Sequence, residues 1–183
     1  MRKVDEKILH KGEWLTLVAT TFENGRGEHY VWESVRRSKE AAGVVVIAKL
    51  VPSNRFVLIK QFRPVLENFV LGFPSGLADN DPQHALVELK EETGYTGKII
   101  EASPVLKSNA GIVHDSGMAV YVEVDETLAE NENPEQELEP SEIIDVVLVS
   151  KDNMKEFLLK EHEAGTYIAS NLWYLFILSD LIH

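Results

Sequence analysis

One stretch in the middle of this chain has helix period, and most of what precedes it reads as strand. Ala85, Leu86 and Leu89 recur at the spacing of a buried helix face, with Asp81 as N-cap and Pro82 at the first helical position to open it. Gly94 supplies the stop. One helix set among strands, with further helices only at the end, predicts an α+β or α/β/α sandwich. The same helix carries Glu88, Glu91 and Glu92. Residues three or four apart share a helix face, so these carboxylates project toward a common centre and repel one another unless a cation neutralises them. A hard divalent ion such as Mg²⁺, which prefers oxygen ligands, is the matching counter-charge. The competing reading is a solvated helix face.

Around that helix the strand signals are short and separated by turns. Trp14–Thr20 and His29–Val35 flank Asn24-Gly25-Arg26-Gly27, which predicts a hairpin. Further strands are expected over Gly43–Ala48, Arg55–Phe62, Phe69–Phe73, Lys98–Ala102, Met118–Val124 and Ile143–Val149. Helices are expected over about Lys151–Glu163 and Ala169–Leu181, the second holding Trp173-Tyr174-Leu175-Phe176 as a packed segment rather than a ligand box. Asp125 to Glu142 is acidic and poor in apolar residues, which predicts a mobile loop.

Charge and cysteine content narrow the partners. With 18 basic and 30 acidic residues the net charge is 18 − 30 = −12, which argues against a general binder of nucleic-acid backbones. The absence of cysteine excludes disulfides, thiolate metal sites and cysteine nucleophiles. The first residues lack an apolar signal core and no apolar run is long enough to span a bilayer, so a soluble, cytoplasmic protein without a membrane partner is expected. A length of 183 residues suits one domain, or one core with a terminal extension.

The segment Pro74-Ser75-Gly76 followed by Glu88-Leu89-Lys90-Glu91-Glu92-Thr93-Gly94-Tyr95 resembles the Nudix box, a strand, glycine loop and helix that hold catalytic metal. The likeness extends to Trp32-Glu33-Ser34-Val35-Arg36-Arg37, Lys60-Gln61-Phe62-Arg63-Pro64 and Phe73-Pro74-Ser75-Gly76-Leu77. These, in order, are similar to segments of the ADP-ribose pyrophosphatase branch, so the resemblance runs from about residue 28 to 150. It implies a Nudix-type α/β/α sandwich over residues 41–183 and an N-terminal β-hairpin region over 1–40. It also implies a hydrolase that splits ADP-ribose or a related nucleoside diphosphate sugar into a nucleoside monophosphate and a sugar phosphate.

Carried over by position, the resemblance assigns metal, Mg²⁺ or Mn²⁺, to Glu88, Glu92, the Ser75 carbonyl and Glu91. Arg63 would meet the diphosphate and act in catalysis with Glu91. Trp32 would stack on the base with Glu33 and Arg37 nearby, contributed across a domain-swapped homodimer. Glu142 matches the carboxylate that orients the attacking water, with Glu139 and Glu137 behind it.

Three positions depart from the pattern. Only 11 residues separate Gly76 from Glu88, fewer than in the family; Val87 stands in place of the box arginine, and Gly72 in place of a glutamate. Asp79 is the best substitute for the first box glutamate. These departures motivate a second reading, a catalytically impaired nucleotide-binding or regulatory protein on the same fold. His114, in a glycine-bounded loop, is a further candidate contact.

Overall fold

The computed structural model describes residues 1–38, 42–78 and 81–178, and these form two compact units. The first comprises Met1–Gly43, Leu77–Asn80 and Pro104–Met118. Its frame is an antiparallel sheet of β1 (Arg2–Lys11), β2 (Leu15–Glu23) and β3 (His29–Arg37), in that order. The expected hairpin is present: β2 and β3 pair from Leu15↔Arg37 to Glu23↔His29 without a register shift. Asn24 shapes its loop, because its side-chain oxygen accepts from the N–H groups of Arg26 and Glu28, while Gly27 turns with φ +79°. β1 was not expected as a strand. Its sequence is mostly charged and its residues are almost all exposed, so the apolar alternation that marks a half-buried strand is missing. Backbone bonds from Val35 N–H to Ile112 O and from His114 N–H to Val35 O tie the segment 104–118 to β3.

The second unit comprises Val44–Gly76, Asp81–Ser103 and Ala119–His183. The larger sheet includes β4 (Ala42–Val51), β5 (Arg55–Arg63), β6 (Asn68–Gly72), β7 (Ser75–Ala78), β8 (Lys98–Ala102), β9 (Gly117–Asp125), β10 (Ile144–Ser150) and β11 (Tyr167–Ile168). Its main path runs β11-β6-β5-β4-β9-β8, with β10 on β5 and β7 on β4. β5 is central and reads Val57-Leu58-Ile59, all buried, as expected of a strand covered on both faces. Leu58 faces a cluster with Leu71, Phe73, Val149 and residues of α2 (Met154–Glu163) and α3 (Ser170–Trp173). α1 (His84–Thr93) buries Ala85 and Leu89 and packs on β5 and β10. Helices flanking a mixed sheet give the expected α/β/α sandwich. Phe176 belongs to that core and lies edge-on to Phe56 at 4.7 Å; of the stretch expected to pack, Phe176 and Trp173 do, whereas Tyr174 and Leu175 are exposed.

The structure corrects several local expectations. α1 begins at His84, after a turn in which Asp81 caps the N–H of Gln83 rather than opening the helix itself. Leu86 is half-buried, not core. The acidic segment 125–142 is tethered: Asn131 is buried and bonds to Thr96 and Asp125, and Glu137 N–H donates to Glu91 O at 2.8 Å. Polar side chains satisfy this loop instead of apolar ones, which is why composition alone reads it as mobile. After α3 the chain continues as a π-helical turn, Tyr174–Leu178. The residues beyond it, Asp79, and the expected boundary at residue 40 lie outside the described residues. No described helix is long and apolar enough to cross a membrane.

Candidate active site

α1 delivers its carboxylates to unequal environments. Glu92, four residues after Glu88, shares the side of the helix that Ala85 and Leu89 bury, and is only 2% exposed; Glu88 is half-buried and Glu91 exposed. Gly94 ends the helix at φ +78°, with its N–H on Lys90 O at 2.8 Å. No side chain fits at Gly94, since a Cβ there would meet the backbone of Pro134 and Glu135.

The Pro74-Ser75-Gly76 turn meets this helix from below. Ser75 N–H donates to Glu92 Oε2 at 2.7 Å. A Cβ on Gly76 would overlap the Glu88 carboxylate, so any larger residue there would have to displace that side chain from its present position. The sequence pointed to the Ser75 carbonyl; the structure adds its N–H as the group that holds Glu92.

Electrostatics in this region are those of crowded, desolvated carboxylates. Burial pushes Glu92 up to about 8; the Ser75 N–H opposes the shift, Glu88 and Glu142 add to it, and Arg63 opposes it. Glu88 is raised by burial first, then by Glu91, Glu142 and Glu139, against His84. Glu91 and Glu142 thus act on Glu88, while Glu88, Glu142 and Arg63 act on Glu92. Among the described residues no ion pair neutralises Glu88 or Glu92, and no three acidic, histidine or cysteine side chains stand close enough together to close a metal shell. The donors are hard carboxylate oxygens with no ion-pair partner among the described residues, and Gly76 lies against one of them. They fit a hard divalent cation. Val87, 48% exposed, offers no hydrogen bond to the glutamates.

Arg63 ends β5 and lines a cleft of about 210 Å³ with Gln61, Ser75, Gly72 and Asn171. Gln61 is a residue that sequence reasoning passed over. It is 7% exposed and its Oε1 has no described hydrogen-bond partner. Strand alternation gave a signal, since Gln61 shares parity with the buried Ile59. Glu142 is half-buried and its Oε2 accepts from Glu139 N–H at 2.9 Å.

The remaining expected residues belong to the first unit. Trp32 is 57% exposed, and its indole N–H donates to Gly111 O at 2.8 Å. It borders a cavity of about 360 Å³ with Phe22, Ser34 and His114, whose Nε2 lies 3.0 Å from Ser34 Oγ. The uninterrupted register puts Trp32 and Ser34 on one face of β3 and Glu33 and Arg37 on the other. Arg37 pairs with Asp115 at 3.4 Å. The structure thus brings His114 to Trp32 and separates Glu33 and Arg37 from them.

No family model matches the chain. It is 32% identical over 179 residues to nudix hydrolase 2 of Caenorhabditis elegans, spanning 92% of this chain and 80% of the nematode protein. With the ADP-ribose pyrophosphatase of Saccharomyces cerevisiae it shares 34% identity over 164 residues, 84% of this chain and 71% of the yeast protein. The crystal structure of an ADP compounds hydrolase superposes with a TM-score of 0.67, covering 86% of this chain and 82% of that one at 19% identity, which shows the same fold. With the glycine turn, the carboxylate helix and these relatives in agreement, the chain belongs to the Nudix hydrolases.

Proposed function

We propose that this Nudix hydrolase cleaves ADP-ribose or a related nucleoside diphosphate sugar, releasing a nucleoside monophosphate and a sugar phosphate. The observation that carries the reading is the pair Glu88 and Glu92: desolvated carboxylates beside Gly76, neither with an ion-pair partner among the described residues. The yeast relative's name supplies the substrate class.

Glu88, Glu91, Glu92 and the Ser75 carbonyl would hold Mg²⁺ or Mn²⁺. Such an ion, when bound, draws charge from phosphoryl oxygens and lowers the pKa of water. Arg63 offers a planar fork that matches diphosphate oxygens and stabilises the charge gathering on them. Glu142, with Glu91 as its neighbour in the carboxylate cluster, orients the water and accepts its proton as the phosphorus–oxygen bond to the departing phosphate breaks. Trp32 stacks on the base; Glu33 and Arg37, on the other face of β3, would serve a binding site from that side.

The first unit also supports assembly as a homodimer, because Trp14 (72% exposed) and Val31 (66% exposed) leave apolar surface that a second copy would cover. The two segments of the chain, 1–40 and 41–183, would then divide base stacking and dimerisation from hydrolysis. The net charge of −12 favours a small-molecule partner over nucleic acid, and a chain without cysteine suits the cytoplasm.

The test is incubation of the purified protein with ADP-ribose and a panel of nucleotide sugars and dinucleotides, with Mg²⁺ or Mn²⁺. Released phosphate is measured after phosphatase treatment. Metal-dependent release from ADP-ribose is expected. Tight ADP-ribose binding with no release under any metal would replace this reading by the regulatory one.

A further inference from the structure

The carbonyl groups in the last turn of a helix have no partner inside it and must be met from outside. In α1 two of them are met by the segment that leads to Glu142. Glu137 N–H donates to Glu91 O at 2.8 Å. Gln136 Nε2 donates to Glu92 O at 2.6 Å and to Ile144 O at 3.2 Å. Glu92 and Ile144 are buried, whereas Gln136 is itself an exposed residue whose amide reaches inward. An amide nitrogen carries two hydrogens, one for each carbonyl. The contact is close along its length, since the backbone of Pro134 and Glu135 leaves no room for a side chain at Gly94. Ile144 opens β10 two residues after Glu142, and the Glu142 carboxylate closes back on the Glu139 N–H.

We propose that Gln136 is a positioning residue, bridging the carboxylate helix to β10 so that the turn carrying Glu142 is set at a fixed distance from Glu88 and Glu92. The proposal rests on the reading of Glu142 as the group that orients water. Among the described residues, the Asn131–Thr96 bonds anchor the loop upstream of Gln136, and without the bridge the Glu137 N–H to Glu91 O bond is the hydrogen bond left between residues 136–142 and α1, so the turn carrying Glu142 can pivot about it. A displacement of about 1 Å in a reacting group can lower a rate by about a hundredfold, so a bond distant from the substrate suffices to control turnover. The residue needed at position 136 is a long side chain with N–H donors, whatever its other properties.

The test uses the full chain with ADP-ribose and Mg²⁺. Gln136→Met keeps the length and removes the donors; kcat should fall by about 10- to 100-fold with KM changed less than about twofold. Gln136→Lys restores donors at similar reach and should recover most of the rate. Glu142→Gln combined with Gln136→Met should be no slower than Glu142→Gln alone, because Gln136 acts through Glu142. Wild-type kcat in Gln136→Met, no recovery in Gln136→Lys, or losses that multiply in the double variant would each overturn the proposal. If Glu142→Gln turns over normally, the water-orienting assignment has failed and the bridge is judged by hydrogen exchange. The Glu137 amide should exchange faster in Gln136→Met and slow again in Gln136→Lys, and equal exchange in all three would overturn it. Should Gln136→Met not fold, Gln136→Asn, too short to span both carbonyls, takes its place, and a normal kcat there counts against the bridge.

Discussion

Glu88 and Glu92 stand on a helix that buries half or more of each carboxylate, whereas Trp32, Glu33 and Arg37 stand on a strand that leaves all three exposed. The helix site is built at short range: an i,i+4 pair, a glycine stop, and a turn that donates Ser75 N–H to Glu92. The strand site is finished at long range, by Gly111 O on the indole and His114 on Ser34. Burial stores electrostatic energy in the first region that a bound cation can release. The second is exposed and has little to release, so a ligand there would be held by surface contact. Chemistry and affinity should therefore separate when each is altered.

The largest effect is expected at Glu92. Glu92→Gln should reduce hydrolysis by more than about a thousandfold, since a neutral amide removes an anionic oxygen donor from the site. Its effect on the metal-free fold should have the opposite sign. Burial raises Glu92 from its ordinary 4.5 to about 8, so the folded state holds a proton that the unfolded chain releases. Stability from this group is complete below about 4.5 and is lost as pH rises toward about 8, at up to about 1.4 kcal/mol per pH unit. Glu88 is shifted in the same direction and adds to the slope. Thermal melts in EDTA from pH 5 to 9 should show this decline, Mg²⁺ should reverse it, and Glu92→Gln should flatten it. A melt equally pH-dependent in Glu92→Gln would remove Glu92 as its source.

The next effect is expected at Trp32. Stacking between a base and an aromatic side chain is worth about 1–3 kcal/mol, so Trp32→Ala should raise KM by about 5- to 150-fold. The value of kcat should stay within about threefold, because in the proposed role the indole meets the base and not the phosphates. A fall in kcat with KM unchanged would mean that the two regions are not separable. His114→Ala should act in the same sense but more weakly, having lost the Ser34 contact beside the indole.

That separation also explains what the sequence could reveal. The hairpin, the strands expected from alternation and the helix that ends at Glu163 agree with the structure to within a few residues, whereas the second closing helix is a short α-helix, Ser170–Trp173, followed by a π-helical turn, and its expected end at Leu181 lies outside the described residues. Glu88, Glu92 and Gly76 are legible because a helix repeats every three or four residues and a glycine turn precedes it. Gln136 is not legible, because its partners are a backbone carbonyl 44 residues earlier and another eight residues later. The same holds for the Trp32 bond to Gly111, 79 residues away. β1 was invisible for another reason: its pairing with β2 is carried by backbone bonds, which leave no mark on composition.

The smallest expected effect lies between the two regions in kind, at Gln61, a buried polar group inside the second unit, the one proposed to perform the chemistry. An unpaired buried acceptor lowers stability by about 1–3 kcal/mol, whereas an apolar group of the same shape carries no such penalty. Gln61→Met keeps the length of the side chain and removes the orphaned oxygen. If the oxygen serves only the fold, the substitution should raise stability by about 1 kcal/mol and leave KM and kcat unchanged. Its place in the cleft with Arg63, Ser75 and Asn171 favours a different outcome, a gain in stability accompanied by a rise in KM, as the oxygen would accept a hydroxyl of the bound substrate. Urea denaturation of the free protein and steady-state kinetics with ADP-ribose measure the two quantities separately. Lower stability in Gln61→Met would show that Oε1 already has a partner, such as a buried water, and would end its candidacy as a substrate contact.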